Sequence, residues 1–231
     1  MVDATGAGNE GTPTVRRTEP DRLHGQGRNA PAAGVSQTGH AVLLARCYPN
    51  LSRADTSFDE VILIDRHDRA IGTMPKLEAH RQGRCHRAIS VIIRDTSGRL
   101  LLQQRARSKY HSAGMWTNTC CSHPRPAEAA ADTAARRLVE EMGIAAPLEA
   151  LFCMRYRAQV SKHLIEHEFV HVFGGVSDQT PSPDAGEVAD WRWRSLRDIT
   201  DDVDERPEAY TVWFRKLLCE FKTEIARFVS R

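Results

Sequence analysis

The sequence predicts an α+β fold of the α/β/α sandwich type, in which helices flank a mixed β-sheet. Three observations support this prediction. Two segments, at 58–76 and 86–106, each pair apolar runs around a polar turn, a segment at 126–144 is rich in helix formers, and a segment at 209–229 has helical spacing with a long apolar stripe. Strand pairs combined with helices of this kind are typical of a layered domain with one sheet.

The predicted strands follow in order along the chain. The run FDEVILIDRHDRAIGTMPK (58–76) predicts a first hairpin, and HRAISVIIRDTSGRLLLQQRA (86–106) predicts a second hairpin with DTSG as its turn. Further strands are predicted at 150–157, at EHEFVHVFGGV (166–176) and at VADWRWRSL (188–196). The two hairpins supply the first half of the sheet, and the later strands complete it.

Two helices are predicted between and after these strands. The segment PAEAAADTAARRLVEEMGI (126–144) contains mainly good helix formers, and its end at Met142-Gly143 is a typical helix stop. The segment AYTVWFRKLLCEFKTEIARFV (209–229) is predicted as one C-terminal helix because its apolar residues recur at helical spacing.

The domain organisation is predicted from a change in composition. Residues 1–54 are rich in Gly, Pro, Ala, Thr and Arg and show no sustained periodicity, so they are predicted to form a disordered N-terminal extension. Residues 55–231 are predicted to form one folded domain, because the apolar runs and the helical segments all fall within them.

The composition also restricts the class of protein. Hydrophobic residues make up 41% and charged residues 27% of the 231-residue chain, as in soluble globular proteins, and the net charge of +2 gives no reason to expect a nucleic-acid partner. No apolar run approaches the roughly 18 residues of a membrane span, and no secretory signal is visible. With no export signal, the six cysteines are predicted to be free thiols in the cytoplasm.

The helical segment at 126–144 carries acidic residues at a spacing that suits a hard cation. Carboxylates one turn apart on a helix can converge on Mg²⁺, which in turn can hold a diphosphate. The alternative is an exposed helix with ordinary i,i+4 ion pairs such as Arg137–Glu141. The full spacing resembles the signature of the Nudix superfamily, with the matching residues Glu128, Arg136, Glu140, Glu141 and Gly143.

The segment departs from the Nudix signature at two positions. The leading Gly of the signature falls on Ser122, and the Glu that follows the signature Arg is replaced by Arg137. Nudix hydrolases commonly use that Glu in their metal cluster, so Arg137 argues against a pyrophosphohydrolase. An arginine at this position is better suited to binding a diphosphate.

The loop WTNTCCSHP (116–124), together with these departures, resembles the type I isopentenyl-diphosphate isomerase family over residues 58 to 220. That family uses the Nudix fold for isomerisation. The resemblance implies that Cys121 is the catalytic cysteine, that Cys120 occupies a variable position and that His123 is a metal ligand. The implied reaction interconverts isopentenyl and dimethylallyl diphosphate by a metal-dependent 1,3 proton shift through a tertiary carbocation, and so feeds isoprenoid synthesis.

The resemblance also implies a mixed metal site. His80 and His86 match two histidine ligands, although they lie six residues apart where the family has seven, and Glu166 and Glu168 match a Glu-x-Glu pair. With His123 they would form a His₃Glu₂ site for Mn²⁺, Mg²⁺ or Zn²⁺, all of which accept such ligands. Glu141 matches the position of a second metal, a Mg²⁺ that also touches the diphosphate. The remaining histidines of the domain are expected to be incidental, namely His67, His111, His163, His167 and His171.

The other implied site residues concern the substrate and its protons. The diphosphate would be bound by cations, namely Lys76, Arg105, Lys109 and Arg137. Trp213 matches a tryptophan whose π-face can meet positive charge. Tyr156 matches a tyrosine that assists proton delivery. We expect Glu168 with Tyr156 on the protonation side and Cys121 on the deprotonation side, while the sequence leaves the reverse assignment open. The expected partner is a small-molecule diphosphate, with no nucleic acid and no membrane, and the expected state is a monomer.

Two other functions remain open at this point. A Nudix hydrolase of a nucleoside diphosphate derivative would have no need for Cys121, His123 or the Glu-x-Glu strand. A non-catalytic zinc-binding module would require cysteine pairs at C-x2-C spacing, which TCCSH does not provide. Removal of the metal distinguishes the second alternative, because a zinc module unfolds without its ion whereas an enzyme loses only its activity.

Overall fold

The computed structural model describes residues 60–231. The predicted extension at 1–54, and the predicted start of the domain at 55, lie outside the described residues.

Within residues 60–231, nine strands form one sheet. They are β1 (Glu60–Ile64), β2 (Ala70–Pro75), β3 (His86–Arg94), β4 (Leu100–Arg105), β5 (Trp116–Thr117), β6 (Cys120–Ser122), β7 (Leu148–Ser161), β8 (Leu164–Val176) and β9 (Val188–Arg194). Strand β3 lies at the centre: it pairs with β8 in parallel along its whole length and with β6 in antiparallel orientation. Strand β4 pairs with β5 and β9, and β7 pairs with β8. The predicted mixed sheet is confirmed.

The helices are α1 (Lys76–Gln82), α2 (Ala130–Met142), α3 (Leu196–Glu205), α4 (Val212–Glu220) and α5 (Lys222–Val229), with a 3₁₀ turn at Pro207–Ala209. Helix α2 packs on one face of the sheet. Residues of α3, α4 and α5 pack on the other face. This arrangement confirms the predicted α/β/α sandwich.

Strand β3 shows why the sheet is buried on both faces. Ile89, Val91 and Ile93 point into the core under α2, whereas Ala88 and Ile92 point into the core under the C-terminal helices. Successive side chains of a strand point to opposite faces, and a central strand covered on both faces reads as a continuous apolar run. The run AISVII in the sequence is therefore the centre of the molecule. Its one polar member, Ser90, faces the functional site described below.

Several boundaries differ from the prediction. The helix predicted at 126–144 begins at Ala130 and is preceded by a turn, and the C-terminal helix is divided at Phe221, whose backbone (φ −124°, ψ 27°) leaves helical geometry. Helices α1 and α3 were not predicted, because each is short and follows directly on a strand or turn. The loop WTNTCCSHP contains the short strands β5 and β6. Within 60–231, no helix is both long and apolar enough to cross a membrane.

Candidate active site

Three histidines and one glutamate bring their ligand atoms together at the end of β3. His80, His86, His123 and Glu168 each offer one atom, and these atoms all lie within 4.8 Å of one another. The Oε1 atom of Glu168 is 3.0 Å from Nε2 of His123, 3.4 Å from Nε2 of His86 and 3.8 Å from Nε2 of His80. The four residues come from α1, β3, the end of β6 and β8.

The backbone explains how His80 and His86 meet across a short connection. Gly83 ends α1 in the left-handed region (φ 60°), where glycine carries no steric penalty, and reverses the chain. His86 then opens β3 directly opposite Glu168 of β8. The spacing of six residues, one fewer than the resemblance implies, therefore still brings both imidazoles to one point.

The donor set fits a divalent cation. His86 Nδ1 donates to the carbonyl oxygen of Arg84 (2.8 Å), so the neutral ring presents a lone pair at Nε2. That nitrogen lies 3.3 Å from Nε2 of His123. Among the described residues, Nε2 of His80 is buried and has no hydrogen-bond partner. Buried polar atoms without partners are costly, and nitrogen lone pairs that converge beside a carboxylate are what a metal ion satisfies.

Charge states in this cluster also favour a cation. Burial lowers the pKa of His80, and it lowers the pKa of His123 to about 3, so both rings are neutral at neutral pH. Burial opposes ionisation of Glu168, but the close approach of the His123, His80 and His86 imidazoles to its Oε1 holds the pKa of its carboxyl well below the usual range. Neutral imidazoles and an ionised carboxylate are the forms that bind metals.

Glu166 lies beside this group but outside it. Its side chain points to the same face of β8 as Glu168, as the spacing of two residues predicts. The Tyr156 hydroxyl lies 2.8 Å from Oε2 of Glu166 and 2.9 Å from Oε2 of Glu168, so one phenol bridges the two carboxyls. Burial, reinforced by the charge of Glu168, raises the pKa of Glu166 to about 8. The four-residue group is thus a His₃Glu set, with Glu166 as its neighbour rather than a fifth member.

Cys121 is fixed by a buried amide. The thiol donates to Oδ1 of Asn118 (3.2 Å), and Ser90 Oγ lies 3.6 Å from the sulfur. Nδ2 of Asn118 donates to Ser90 Oγ and to the carbonyl oxygens of Val91 and Cys120, which fixes the orientation of the amide. Burial raises the pKa of the Cys121 thiol to about 12. The thiol therefore carries its proton at neutral pH.

A second charged group lies on α2. Arg137 Nη2 is 2.7 Å from Oε1 of Glu141 and 3.2 Å from Oε1 of Glu187, and Glu187 in turn pairs with Lys109 at 2.6 Å. Burial raises the pKa of the Glu141 carboxyl, although Arg137 attracts its charged form. Gln103 Nε2 donates to the other Glu141 oxygen at 3.1 Å. Glu141 is thus separate from the histidine group and belongs to this second cluster of ion pairs.

One cavity of roughly 150 Å³ connects these features. Its lining includes Cys121, Tyr156, Glu166, Glu168 and His123, and the four cations assigned to the diphosphate, Lys76, Arg105, Lys109 and Arg137. Trp213 of α4 also lines the cavity, and the Arg105 guanidinium lies 5.2 Å from the centre of its indole ring. Every site residue named from the sequence therefore either lines this cavity or belongs to the histidine group.

Other residues of the site were missed or misjudged. His111 was expected to be incidental, but it is buried, lines the cavity and places Nε2 3.6 Å from Oε1 of Glu166. Tyr110 and Glu187 line the cavity as well. Tyr110 and His111 could have been found from the sequence, because they directly follow Lys109 in the segment SKYH. Glu187 carried no such signal, because only the tertiary fold brings it to α2.

Comparison with known proteins agrees with this geometry. The NUDIX domain family matches residues 84–215. The chain is 56% identical over 155 residues to Isopentenyl-diphosphate Delta-isomerase 1 of Aromatoleum aromaticum. The matched residues make up 67% of this chain and 88% of that protein. It is also 49% identical over 160 residues to Isopentenyl-diphosphate Delta-isomerase of Burkholderia multivorans. There the matched residues make up 69% of this chain and 91% of that protein.

Solved structures show the same fold at low identity. The chain resembles a structure from Deinococcus radiodurans with a TM-score of 0.54 and 17% identity, over 63% of this chain and 89% of the other. It resembles the MutT protein from Methanosarcina mazei Go1 with a TM-score of 0.51 and 21% identity, over 61% of this chain and 94% of the other. Both similarities concern the arrangement of helices and strands.

Proposed function

The chain belongs to the isopentenyl-diphosphate Delta-isomerase family of NUDIX-domain proteins, and we propose that it interconverts isopentenyl diphosphate and dimethylallyl diphosphate, a reaction that feeds isoprenoid synthesis. The observation that carries this proposal is the pairing of a protonated thiol, Cys121, with the Tyr156–Glu168 pair in one cavity. Moving a double bond by a 1,3 proton shift needs two proton-transfer groups around one carbon skeleton.

Cys121 and Glu168 are the proposed catalytic pair. They lie on β6 and β8, the two strands that flank β3, so a substrate between them has one group on each side. Glu168, assisted by Tyr156, acts on one side of the allylic unit and Cys121 acts on the other. The reaction is reversible, so each group gives a proton in one direction and takes one in the other. Burial raises the pKa of the Cys121 thiol and of the Tyr156 phenol, so both carry protons at neutral pH, whereas the Glu168 carboxyl is ionised. In these charge states the Cys121 thiol gives a proton to the allylic unit and the Glu168 carboxylate takes one from it, which favours the reverse of the assignment expected from the sequence.

The tertiary carbocation between the two proton transfers needs protection from water and some stabilisation of its charge. Trp213 is 7% exposed and its indole lines the cavity. A cation over a desolvated indole is stabilised by roughly 0.5–2 kcal/mol. Met154, Val170 and Leu217 add apolar surface to the same wall, which excludes water from the intermediate.

The proposed metal ligands are His80, His86, His123 and Glu168, for Mn²⁺, Mg²⁺ or Zn²⁺. Glu166, the other carboxylate of the expected His₃Glu₂ set, is linked to Glu168 through the Tyr156 hydroxyl and lies beside the four ligands. When bound, such a cation acts as a Lewis acid that organises the carboxylates around the reacting carbons. Glu141 is proposed to take a separate Mg²⁺ that comes with the substrate diphosphate.

The diphosphate is proposed to bind Lys76, Arg105, Lys109 and Arg137. Phosphate oxygens match the fork of arginine and the point charge of lysine. Glu187 pairs with both Lys109 and Arg137, so these two cations are held beside the cavity. We further propose a monomeric cytoplasmic enzyme whose catalytic domain contains residues 60–231, with a small diphosphate as its partner and no role for nucleic acid or membrane.

The test is isomerisation in D₂O followed by NMR, with isopentenyl diphosphate, Mg²⁺ and a trace of Mn²⁺. The wild-type protein is expected to form dimethylallyl diphosphate that carries deuterium. Cys121→Ala is expected to lower kcat by about 10²–10⁴-fold, the usual contribution of a positioned acid or base. Cys219→Ala, which removes an exposed thiol on α4, is the matched control and should retain activity.

The hydrolase alternative has a distinct result in the same experiment. Release of phosphate or pyrophosphate without an allylic product would sink the isomerase proposal. Equal activity of Cys121→Ala and wild type would remove Cys121 from the mechanism and leave the reaction itself intact.

A further inference from the structure

Tyr110 contacts the histidine group from outside it. Its hydroxyl lies 3.2 Å from Nδ1 of His80, on the side of the imidazole opposite to Nε2. Nε2 of the same ring points towards Oε1 of Glu168 at 3.8 Å and has no hydrogen-bond partner among the described residues. The two nitrogens of His80 thus have different neighbours. Nδ1 faces the Tyr110 hydroxyl, and Nε2 faces the point where the ligand atoms of the histidine group meet.

The neighbouring histidine shows which tautomer this arrangement requires. Nδ1 of His86 donates to the carbonyl oxygen of Arg84, which can only accept, and this leaves Nε2 of His86 as a lone pair. For Nε2 of His80 to bind a cation in the same way, Nδ1 must carry the proton and the Tyr110 oxygen must accept it. Ligating histidines generally place their second nitrogen on such an oxygen acceptor, which fixes both tautomer and ring orientation.

The position of Tyr110 is itself fixed by His111. The two rings meet edge to face with centroids 4.6 Å apart. His111 is buried beneath Trp213, with ring centroids 6.1 Å apart, and also contacts Glu166. The phenol ring is therefore braced by a buried side chain. A braced hydroxyl can hold a ring orientation that a mobile surface tyrosine could not.

We propose that Tyr110 is a positioning residue of the metal centre, which holds His80 with its proton on Nδ1 and its Nε2 lone pair directed at the ion. The inference rests on the metal centre of the proposed function and assigns a role to a residue outside the ligand set. Tyr110 acts through His80 and does not itself bind the metal.

The test compares Tyr110→Phe with wild type in metal binding, using the full chain freed of metal and titrated with Mn²⁺. Free Mn²⁺ is measured by its EPR signal. Loss of a partner of a ligating histidine typically costs 10–100-fold in metal affinity, and we expect the dissociation constant of Tyr110→Phe to rise within that range. Tyr210→Phe is the matched control: it removes another buried hydroxyl, one that donates to Asp202 at 2.6 Å, and should leave Mn²⁺ affinity unchanged.

A second measurement separates positioning from general loosening. In protein labelled with ¹⁵N-histidine, His80 is expected to show the Nδ1–H tautomer in wild type and a mixture of tautomers in Tyr110→Phe, while His86 keeps its tautomer in both. Equal Mn²⁺ affinity for wild type and Tyr110→Phe would overturn the inference while leaving the metal centre intact. A wild-type protein that binds no divalent cation would overturn both the inference and the proposed centre.

Discussion

At the scale of single residues, adjacent positions in WTNTCCSHP do different things because a strand alternates its faces. Cys120 is fully buried in the core under α2, whereas Cys121 faces the cavity. A shift of one residue would exchange the two thiols. The register of β6 against β3, where Ser90 pairs with Cys121, therefore decides which cysteine is available for chemistry.

Arg137 is a second residue for which the structure adds a role to the one predicted from the sequence. It replaces the signature glutamate and was predicted to bind the diphosphate. In the structure it lines the cavity and is also the partner of Glu141, whose side chain is 4% exposed. A buried carboxylate without its cation is strongly unfavourable. Arg137 therefore has a structural task besides the proposed binding task.

Because Arg137 is paired with a buried carboxylate, we can predict how two variants change the stability of the protein. Arg137→Met should lower the free energy of unfolding by about 3–5 kcal/mol, because one partner of a buried pair is removed and the other is left. The double variant Arg137→Met/Glu141→Gln should recover more than half of that loss, since the stranded charge is gone. Urea denaturation of the metal-free proteins measures both values. A single variant as stable as wild type would contradict the structural role of Arg137.

At the scale of elements, the end of α2 organises the cavity from a distance. Gly143 ends the helix in the left-handed region (φ 67°), and the segment that follows β8 folds back onto this end. The amide of Ser182 donates to the carbonyl oxygen of Met142, and the amide of Asp184 donates to that of Glu141. These hydrogen bonds hold the segment so that Glu187 forms ion pairs with Arg137 and Lys109. The glycine of the signature thus supports the position of a carboxylate more than forty residues later.

We predict that Gly143→Ala is more harmful than the same change at Gly114. Both glycines have positive φ, 67° and 73°, so alanine is strained by roughly 1–2 kcal/mol at either site. At Gly143 the added Cβ would also lie 2.6 Å from the Ser182 carbonyl oxygen, whereas at Gly114 it would meet nothing within 4 Å. Thermal unfolding of the two variants measures the difference. Equal losses of stability in the two variants would show that Ser182 can move away from the added Cβ at no cost in free energy.

Helices α1 and α3 mark the limit of prediction at this scale. The long apolar patterns of β3, β8 and α2 were read correctly because burial on a face imposes a period on the sequence. Helix α1 has only seven residues and follows β2 without a break. Its helical state depends on packing against the sheet, since isolated helices of that length are unstable. The break at Phe221 was missed for the same reason, because tertiary contacts and not local preference divide the C-terminal segment.

At the scale of the whole molecule, the described residues form three apolar clusters beside the proposed metal ligands. The core under α2 and the core under the C-terminal helices bury apolar residues from both faces of the sheet, and a smaller cluster lies beside α1. We therefore expect residues 60–231 to fold without an ion, unlike a zinc module. On the proposed function, a bound metal adds to a fold that the apolar cores already stabilise.

Removal of the metal should consequently stop activity without unfolding the protein. Treatment with a chelator is expected to abolish isomerisation while far-UV circular dichroism and cooperative unfolding persist. Adding Mn²⁺ back at 100 times its dissociation constant should raise the free energy of unfolding by about 2.7 kcal/mol. Collapse of the chelated protein to an unfolded chain would instead favour the zinc-module alternative.

The sequence by itself determined the layers and the mixed sheet, because burial imposes periodicity on strands and helices. It also named Cys121, the three histidines and the two glutamates of β8 by resemblance. Only the tertiary structure decided how these residues divide into groups. Glu168 joins the histidines while Glu166 faces His111, and Glu141 pairs with Arg137, since side chains distant in the chain compete for the same buried positions. Tyr110, His111 and Glu187 gained their roles in the same way, from neighbours that no local pattern records.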